Sequence, residues 1–324
     1  MEPEKFHRVR GQVFLFYRRG RYREALEAAL AAKERFPEKE GEASFWIACL
    51  LCRLGDVGGG LKTLQEALEQ GHWWGEHSLL KDPDLEPIRD RPEFKRLLEV
   101  CKKRQQVAQA QAKPDLLLLL SKRKREKSPL LIAFHWFGGT AQVFAPYWEA
   151  AQDHGFLVAV PQSSQVVSED GFGWTDREWA RREVAAHWER LKSEEGVDPN
   201  QVILAGASQG GALAIELALA GELIPALGFI AVVPAIHDPQ GLAELAKEAA
   251  KRGVTGLVIT GEHDHFRSAT EAFSAQAQEA GLKCELQIVP ELGHDFPEDF
   301  PSRLGDGLRF LLSEEGLHED QSVP

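Results

Sequence analysis

Apolar residues in the first third of the chain recur at the spacing of helices. Ala, Leu, Glu, Arg and Lys dominate residues 1–105, and β-branched residues are scarce there, so the composition favours helix over strand. Gly and Pro residues interrupt helices and predict breaks at Gly20, at 37–39, at Gly55 and at 58–60. The pattern predicts an all-helical domain over residues 1–105.

The pattern changes at Pro114, where short apolar runs begin to alternate with helical segments. The runs have the length of strands and cover residues 115–120, 130–136, 156–162, 202–208, 227–234, 255–262 and 284–290. Such alternation predicts a mostly parallel sheet covered by helices on both faces. We expect this α/β domain to span residues 114–315, after a linker at 106–113 that is either a connecting helix or irregular, and before a flexible tail at 316–324. The basic run at 122–127 is expected to form a solvated hairpin turn between the first two strands.

The helical region contains an internal repeat with a period of 35 residues. Gly20 and Gly55 each precede small and apolar residues at helical spacing, which are Tyr22, Ala25, Leu26, Ala29 and Ala32 in the first copy and Val57, Gly60, Leu61, Leu64 and Ala67 in the second. Over residues 6–100 the chain therefore resembles the helix pairs of tetratricopeptide repeats (TPR). The resemblance implies a face that binds a peptide or another protein. A dimerisation or stabilising role is the alternative.

The strongest chemical signal is a strand that runs into Gly206-Ala207-Ser208-Gln209-Gly210 and continues as a helix of small residues. A G-x-S-x-G sequence between a strand and a helix is a nucleophile elbow, a turn so tight that its serine has a strained backbone. We expect glycine at 206 and 210 because a side chain there would collide with the neighbouring strand or helix. The pattern makes Ser208 the candidate nucleophile.

A serine hydroxyl needs a base to become an effective nucleophile. In folds with a nucleophile elbow, the catalytic residues follow the order Ser, acid, His along the chain, and each lies on a loop after a strand. Asp264 and His294 each lie just after a later predicted strand, so we predict a triad of Ser208, Asp264 and His294. Asp238 is the alternative acid, and His265 is the alternative base. A metal site is a further alternative, but no pair of these residues has the helical i, i+4 spacing of metal ligands, so we predict neither metal nor cofactor.

Four short segments carry a resemblance to a known family. They are A-F-H-W-F-G-G at 133–139, G-A-S-Q-G-G at 206–211, G-E-H-D at 261–264 and G-H-D-F at 293–296. Residues 114–312 resemble bacterial α/β-hydrolases near the phospholipase/carboxylesterase and acyl-thioesterase branch. The resemblance implies that Ser208 attacks an acyl carbonyl, that His294 takes and returns the proton, and that Asp264 orients His294 and stabilises its cation.

The same resemblance implies an oxyanion hole with two backbone donors. We assign these donors to the N–H of Gln209, directly after the nucleophile, and to the N–H of Phe137, in the loop after the first central strand. Trp136 stands where the family usually has glycine, so the sequence departs from the family in this loop. Three aromatic residues on loops above the sheet, Trp136, Trp174 and Phe266, are predicted to line a pocket for an apolar acyl or aryl group. Core or lid packing is the alternative for each of them.

The composition limits the kinds of binding partner and the cellular compartment that we expect. Hydrophobic residues make up 43% of the chain and charged residues 27%, which allows a buried core. A net charge of −12 argues against nucleic acid as a partner, because phosphate binding needs clustered Lys and Arg. The N-terminus is charged and carries no signal segment, and no run of 18 apolar residues exists, so we expect a cytoplasmic protein without a membrane span. Cys49 and Cys52 lie in an apolar helical run without a second Cys pair, so we expect them in the core and not in a redox or zinc motif.

Together these features predict a serine hydrolase that cleaves carboxylic esters or thioesters of small molecules through an acyl-enzyme intermediate. The helical domain would add protein binding or self-association. A peptidase or acyl-peptidase would use the same triad and is one alternative. A TPR interaction protein whose hydrolase domain is an inactive scaffold is another, because the fold by itself does not determine the activity.

Overall fold

The computed structural model of the chain describes residues 6–123 and 125–312, apart from the side chains of His7 and Arg8. The chain divides into two compact units, one formed by Met1–Ala112 with Val166–Gly171 and the other by Lys113–Gln165 with Phe172–Pro324. The predicted tail at 316–324 and the last three residues of the predicted α/β domain lie outside the described residues.

Residues 6–111 of the first unit are mostly helical, as predicted. Its helices are α1 (Phe6–Arg18), α2 (Tyr22–Arg35), α3 (Glu40–Arg53), α4 (Val57–Glu69), α5 (Glu76–Lys81) and α6 (Pro92–Gln111), with short 3-10 helices at Pro37–Lys39 and Pro83–Ile88. The predicted breaks at Gly20 and Gly55 are confirmed, since both glycines have positive φ angles, +70° and +89°, in turns between helices. The predicted linker at 106–113 is mostly helix, because its residues are good helix formers and α6 continues through them.

The predicted break at 58–60 is wrong, because these glycines lie in the first turn of α4. Gly60 faces α3, where a Cβ would lie 2.5 Å from Cys52 Sγ and 2.9 Å from Ala48 O. The glycine therefore allows the two helices to approach closely. Cys49 and Cys52 are both buried in this core, as predicted. Burial raises the pKa of Cys52 to about 11, which keeps the thiol protonated at neutral pH.

The chain beyond residue 113 contains nine strands and seven helices among the described residues. The strands are β1 (Asp115–Leu119), β2 (Ser128–Phe134), β3 (Leu157–Gln162), β4 (Gln165–Ser168), β5 (Gly171–Gly173), β6 (Val197–Ala207), β7 (Gly228–Val232), β8 (Thr255–Gly261) and β9 (Lys283–Val289). The helices are α7 (Ala141–Phe144), α8 (Ala150–Asp153), α9 (Arg177–Leu191), α10 (Gln209–Ala220), α11 (Pro239–Lys251), α12 (Arg267–Glu279) and α13 (Phe300–Leu311), and Ala145–Trp148 forms a 3-10 helix. No helix within the two described ranges is long and apolar enough to cross a membrane.

Seven of the strands form one sheet, in the order β1-β3-β2-β6-β7-β8-β9. β1 is antiparallel to β3, and the other neighbouring strands are parallel, which confirms the predicted mostly parallel sheet. The predicted hairpin between the first two strands is wrong, because β3 lies between β1 and β2. Every residue of β2 is buried, whereas β1 is partly exposed, so β2 suits the sheet interior and β1 suits an edge.

Helices cover both faces of this sheet. In β2, Leu130, Ile132 and Phe134 pack into a core with α9, α10, α11 and α12. The alternate residues Leu131 and Ala133 pack into a second core with α7, α8 and α13. Successive side chains of a strand point to opposite faces, so a continuous apolar run fits a strand that is buried on both sides.

Candidate active site

Ser208 lies in a strained turn between β6 and α10. Its backbone angles are φ +53° and ψ −119°, which residues other than glycine rarely adopt. A Cβ at Gly206 would lie 2.5 Å from the Gly210 carbonyl carbon, and a Cβ at Gly210 would lie 2.0 Å from Phe134 O in β2. The predicted requirement for glycine at both positions is therefore confirmed, and the turn holds the serine where the strand ends.

His294 connects the candidate nucleophile to the candidate acid. Its Nε2 lies 2.8 Å from Ser208 Oγ, and its Nδ1 lies 2.8 Å from Asp264 Oδ1. The three residues follow β6, β8 and β9. Because the carboxyl ends of parallel strands meet at one edge of a sheet, residues far apart in sequence come together there. The structure places all three side chains in one hydrogen-bonded chain.

The side chain of Asp264 has no exposed surface and accepts three hydrogen bonds. Besides the bond to His294, Phe266 N–H donates to Oδ1 at 3.0 Å and Thr260 Oγ1 donates to Oδ2 at 3.0 Å. Burial opposes ionisation, but the hydrogen bonds outweigh it and lower the pKa of the Asp264 carboxyl below its ordinary value. The carboxylate is charged at neutral pH and can stabilise a proton on His294.

The alternative acid and the alternative base have other environments. Asp238 is exposed at the start of α11, where its Oδ1 accepts a hydrogen bond from Gly241 N–H at 2.9 Å. His265 is exposed, and its Nδ1 lies 3.6 Å from Asp264 Oδ1, which is too far for a hydrogen bond. The possible ligand atoms of Asp264, His265 and His294 lie within 4.8 Å of one another. Both ring nitrogens of His294 are engaged by the Ser208 hydroxyl and the Asp264 carboxylate.

The loop after β2 contains the second predicted oxyanion donor and forms a tight turn. Gly139 N–H donates to Trp136 O at 3.0 Å, and Gly138 has φ +79°, as the third position of a type II turn requires. Gly138 N–H donates to Phe172 O at 2.8 Å. The amides of both glycines are therefore engaged within the loop and with the segment after β4. Trp136 stands at the first position of the turn, where no positive φ is needed, so its bulk does not prevent the turn.

Gln209 connects the elbow to the segment after β5. Its backbone N–H is the first of α10, where a helix offers no acceptor. Its Oε1 accepts a hydrogen bond from Trp174 N–H at 2.7 Å, and its Nε2 donates to Thr175 Oγ1 at 3.3 Å. Trp174 Nε1 in turn donates to His135 O at 3.0 Å. These bonds join side chains to partners more than thirty residues away in the chain, which no local sequence pattern signals.

The three aromatic residues predicted to line the pocket have different environments. Trp136 is partly exposed, and its ring packs edge-on against Phe144 with a centroid distance of 5.1 Å. Phe266 is partly exposed, and its ring centroid lies 5.6 Å from that of His294. Trp174 is fully buried, so it offers no surface to a substrate. It instead holds the loop after β2 through its hydrogen bond to His135 O. Trp136 and Phe266 remain the candidates for substrate contact.

His135 was not among the predicted site residues, yet it is central to the hydrogen bonds of the loop. Its side chain is fully buried. Its Nδ1 donates to Trp136 O at 2.9 Å, and its Nε2 accepts from Ser163 N–H at 3.3 Å. This pair of partners requires a neutral imidazole with the proton on Nδ1. Burial lowers the pKa of His135 to about 4.

The free energy of unfolding is expected to fall as the pH is lowered towards 4. The unfolded chain protonates His135 near the ordinary pKa of about 6.5, whereas the folded chain keeps it neutral down to about pH 4. Because the unfolded state binds the proton first, this group should remove about 3 kcal/mol of stability over that window. Urea unfolding at pH 7 and pH 4 should show that the native chain loses about this much more than His135→Asn. Equal losses in the two chains would contradict the expectation.

The mostly parallel sheet with helices on both faces is the fold of an α/β hydrolase. The chain belongs to the dienelactone hydrolase family, whose model matches residues 118–307. Residues 9–109 match a separate model, described as the N-terminal domain of A/B hydrolase-like proteins. The helical region is thus similar to a domain that precedes such hydrolases in other proteins. Its likeness to TPR stays a prediction.

Similar proteins include two solved structures. An uncharacterized protein from Bacillus cereus ATCC 10987 is 25% identical, with a TM-score of 0.54, over 94% of this chain and 99% of that chain. Esterase PE8 is 20% identical, with a TM-score of 0.52, over 62% of this chain and 100% of that chain, and this likeness shows the fold. Among curated proteins, a chloroplastic protein of Arabidopsis thaliana is 36% identical over 86 residues, 26% of this chain. The chain spans about a quarter of the length of that curated relative.

Proposed function

We propose that the protein is a serine hydrolase that cleaves carboxylic esters or thioesters through a covalent acyl-enzyme. The observation that carries the proposal is the position of His294, whose two ring nitrogens lie 2.8 Å from Ser208 Oγ and 2.8 Å from Asp264 Oδ1. A base that contacts a hydroxyl and is itself oriented by a carboxylate is the arrangement that activates serine. Membership of the dienelactone hydrolase family supports an ester bond as the target, since a lactone is a cyclic carboxylic ester.

In the acylation step, Ser208 Oγ attacks the carbonyl carbon while its proton moves to His294 Nε2. The Asp264 carboxylate stabilises the resulting imidazolium through Nδ1–H. The backbone N–H groups of Gln209 and Phe137 donate hydrogen bonds to the carbonyl oxygen and stabilise its negative charge. When the tetrahedral intermediate collapses, the alcohol or thiol leaves with the proton from His294, and the acyl group stays on Ser208.

In the deacylation step, water takes the place of the departed alcohol or thiol. His294 accepts a proton from the water as its oxygen adds to the acyl carbon, and a second tetrahedral intermediate forms. Its collapse breaks the bond to Ser208 Oγ, which regains the proton from His294 while the carboxylic acid leaves. The strained elbow supports both steps, because the serine is already held in position before the substrate binds.

We assign the acyl or aryl part of the substrate to the partly exposed rings of Trp136 and Phe266. Phe266 supports this assignment by its distance of 5.6 Å from the His294 ring. Trp136 supports it because it directly precedes the proposed oxyanion donor and its ring is partly exposed. Aromatic walls favour apolar groups over charged ones.

A fluorophosphonate probe is expected to label the native chain at Ser208, because the probe captures an activated serine hydroxyl as an acyl carbon would. Mass spectrometry of the digested protein should place the adduct on the peptide that contains Ser208. The native chain should also hydrolyse p-nitrophenyl acetate, and a heat-unfolded sample should do neither. A folded native chain without an adduct would contradict the proposal and favour the TPR interaction protein. Labelling together with cleavage of acyl-peptides and not of esters would favour the peptidase.

For the helical unit we propose a TPR-type module that binds a peptide or a second copy of the chain. Helix pairing supports this proposal, since α1 packs against α2, α2 against α3 and α3 against α4 in chain order. Such stacking of successive helices is how repeat modules build a continuous surface. The turns at Gly20 and Gly55 stand one repeat period apart, as the pairing requires.

A further inference from the structure

The geometry points to His135 as a positioning residue for the oxyanion hole, because its imidazole fixes the orientation of the peptide between Trp136 and Phe137. The inference rests on the proposed function, in which Phe137 N–H is a donor to the oxyanion. His135 touches no reacting atom in this role. It acts through the backbone of the loop that follows β2.

The carbonyl of Trp136 accepts two hydrogen bonds. His135 Nδ1–H donates to it at 2.9 Å, and Gly139 N–H donates to it at 3.0 Å. The peptide between Trp136 and Phe137 is trans, so its C=O and N–H groups point in opposite directions. A carbonyl held towards the buried imidazole therefore turns Phe137 N–H to the opposite side of the loop. A rotated peptide would present a carbonyl oxygen there and repel an oxyanion.

His135 can serve as an anchor because its own position is fixed. Its Nε2 accepts a hydrogen bond from Ser163 N–H at 3.3 Å, and its carbonyl accepts one from Trp174 Nε1–H at 3.0 Å. Its ring centroid lies 4.9 Å from that of Trp174. Since Nε2 faces a donor, the ring proton is on Nδ1, the nitrogen that faces Trp136 O. Burial also keeps the ring neutral, because it lowers the pKa of His135 to about 4.

The support beneath His135 extends to a buried carboxylate that the proposed mechanism does not use. Glu183 in α9 is 6% exposed. It accepts hydrogen bonds from Ser163 Oγ at 3.3 Å, from Ser164 N–H at 3.3 Å and from Trp179 Nε1–H at 2.9 Å. Glu183 therefore holds the segment after β3 that supplies the N–H group to His135. This accounts for a buried acid with a complete set of donors.

Two substitutions at position 135 separate the hydrogen bond from the volume of the side chain. His135→Leu removes the donor to Trp136 O, and His135→Asn places an amide donor near the position of Nδ1. We expect leucine to lower kcat for p-nitrophenyl acetate about 10- to 100-fold, with KM changed less than about threefold. Asparagine should restore kcat to within about threefold of the native value. The loss should be smaller than that of a whole oxyanion donor, because Gly139 N–H still holds the carbonyl.

Two readouts separate positioning from a general loss of structure. Each kcat is divided by the fraction of sites that a fluorophosphonate titrates, so unfolded protein does not count. Phenylboronic acid forms a tetrahedral adduct with an active serine, and its Ki should rise in the leucine variant by the factor by which kcat/KM falls. The matched control is His187→Leu, since His187 Nε2 is buried without a hydrogen-bond partner among the described residues. This control should keep the native kcat and Ki.

If leucine prevents folding, His135→Gln replaces it in the comparison with asparagine. Glutamine keeps a buried amide but reaches the position of Nε2, beside Ser163, and so leaves Trp136 O without its second donor. We expect low kcat with glutamine and near-native kcat with asparagine. Native kcat per titrated site in a folded leucine or glutamine variant would overturn the inference and leave the proposed function intact. A native chain that neither labels nor hydrolyses esters would overturn both.

Discussion

Replacing Ser208 with alanine is expected to lower kcat for p-nitrophenyl acetate about a million-fold while the protein stays folded. The substitution removes the atom that would form the acyl-enzyme, and His294 Nε2 then faces a methyl group. Folding should survive because serine and alanine both carry a Cβ, so the strained φ of +53° costs each a similar amount. Initial rates at saturating substrate, together with the unfolding temperature, measure the two effects separately.

Two further variants serve as controls for Ser208→Ala. Ser193→Ala, which removes an exposed serine of the same domain, should keep the native kcat. His294→Ala should lower kcat about as far as Ser208→Ala, and the double variant should be no slower than either single one, because the residues act as a unit. A Ser208→Ala protein that keeps more than about 1% of the native kcat, where a million-fold loss is expected, would show that another nucleophile carries the reaction.

The triad candidates could be predicted from the sequence because each belongs to a local pattern with a fixed place in the fold. The glycines at 206 and 210 are dictated by backbone contacts within the turn and with β2, so a motif of five residues reports a three-dimensional constraint. Asp264 and His294 follow β8 and β9, and the chain order of such strands fixes where their loops meet. The strands themselves were predictable because β-branched and apolar runs of strand length recur between helices.

The edge of the sheet could not be predicted in the same way. β1 and β2 are neighbours in sequence, and a basic segment between them suits a hairpin turn, yet β3 separates them in the sheet. Strand order depends on how much of each strand the whole fold can bury, and a local pattern does not contain that information. The glycines at 58–60 illustrate the same limit, because close packing of α3 against Gly60 outweighs the low helix propensity of glycine.

The residues that hold the site in place could not be predicted from the sequence either. Trp174 was predicted as a pocket wall because it is aromatic and lies near the predicted loops, but it is fully buried and links Gln209 to His135 through two hydrogen bonds. Nothing in the residue types distinguishes a tryptophan that lines a pocket from one that holds a loop. His135 was visible only as a member of the loop motif, and its role depends on a contact with Ser163, which a local motif cannot show.

Replacing Asp264 with asparagine is expected to lower kcat about ten thousand-fold, a smaller loss than that of Ser208. Asparagine can keep the local geometry, since its carbonyl oxygen can accept from Phe266 N–H and His294 Nδ1–H while its amide donates to Thr260 Oγ1, a hydroxyl that can also accept. The protein should therefore fold with His294 in place. The substitution removes the negative charge that stabilises the imidazolium, and it replaces a carboxylate that can only accept with an amide that can also face His294 Nδ1 with its donor end. Both effects act on the chemical step, so the loss should fall on kcat and leave KM nearly unchanged.

The matched control for this charge is Asp238→Asn, which makes the same chemical change at the alternative acid. Asp238 is exposed and accepts Gly241 N–H at the start of α11, and asparagine caps a helix as well as aspartate does. Its kcat should stay within about twofold of the native value, since a capping change of this kind is nearly neutral. A large loss for Asp238→Asn, together with native turnover for Asp264→Asn, would contradict the prediction and show that Asp238 is the acid. The opposite pattern would show that the reaction depends on the buried carboxylate beside His294 and not on the exposed one at the start of α11.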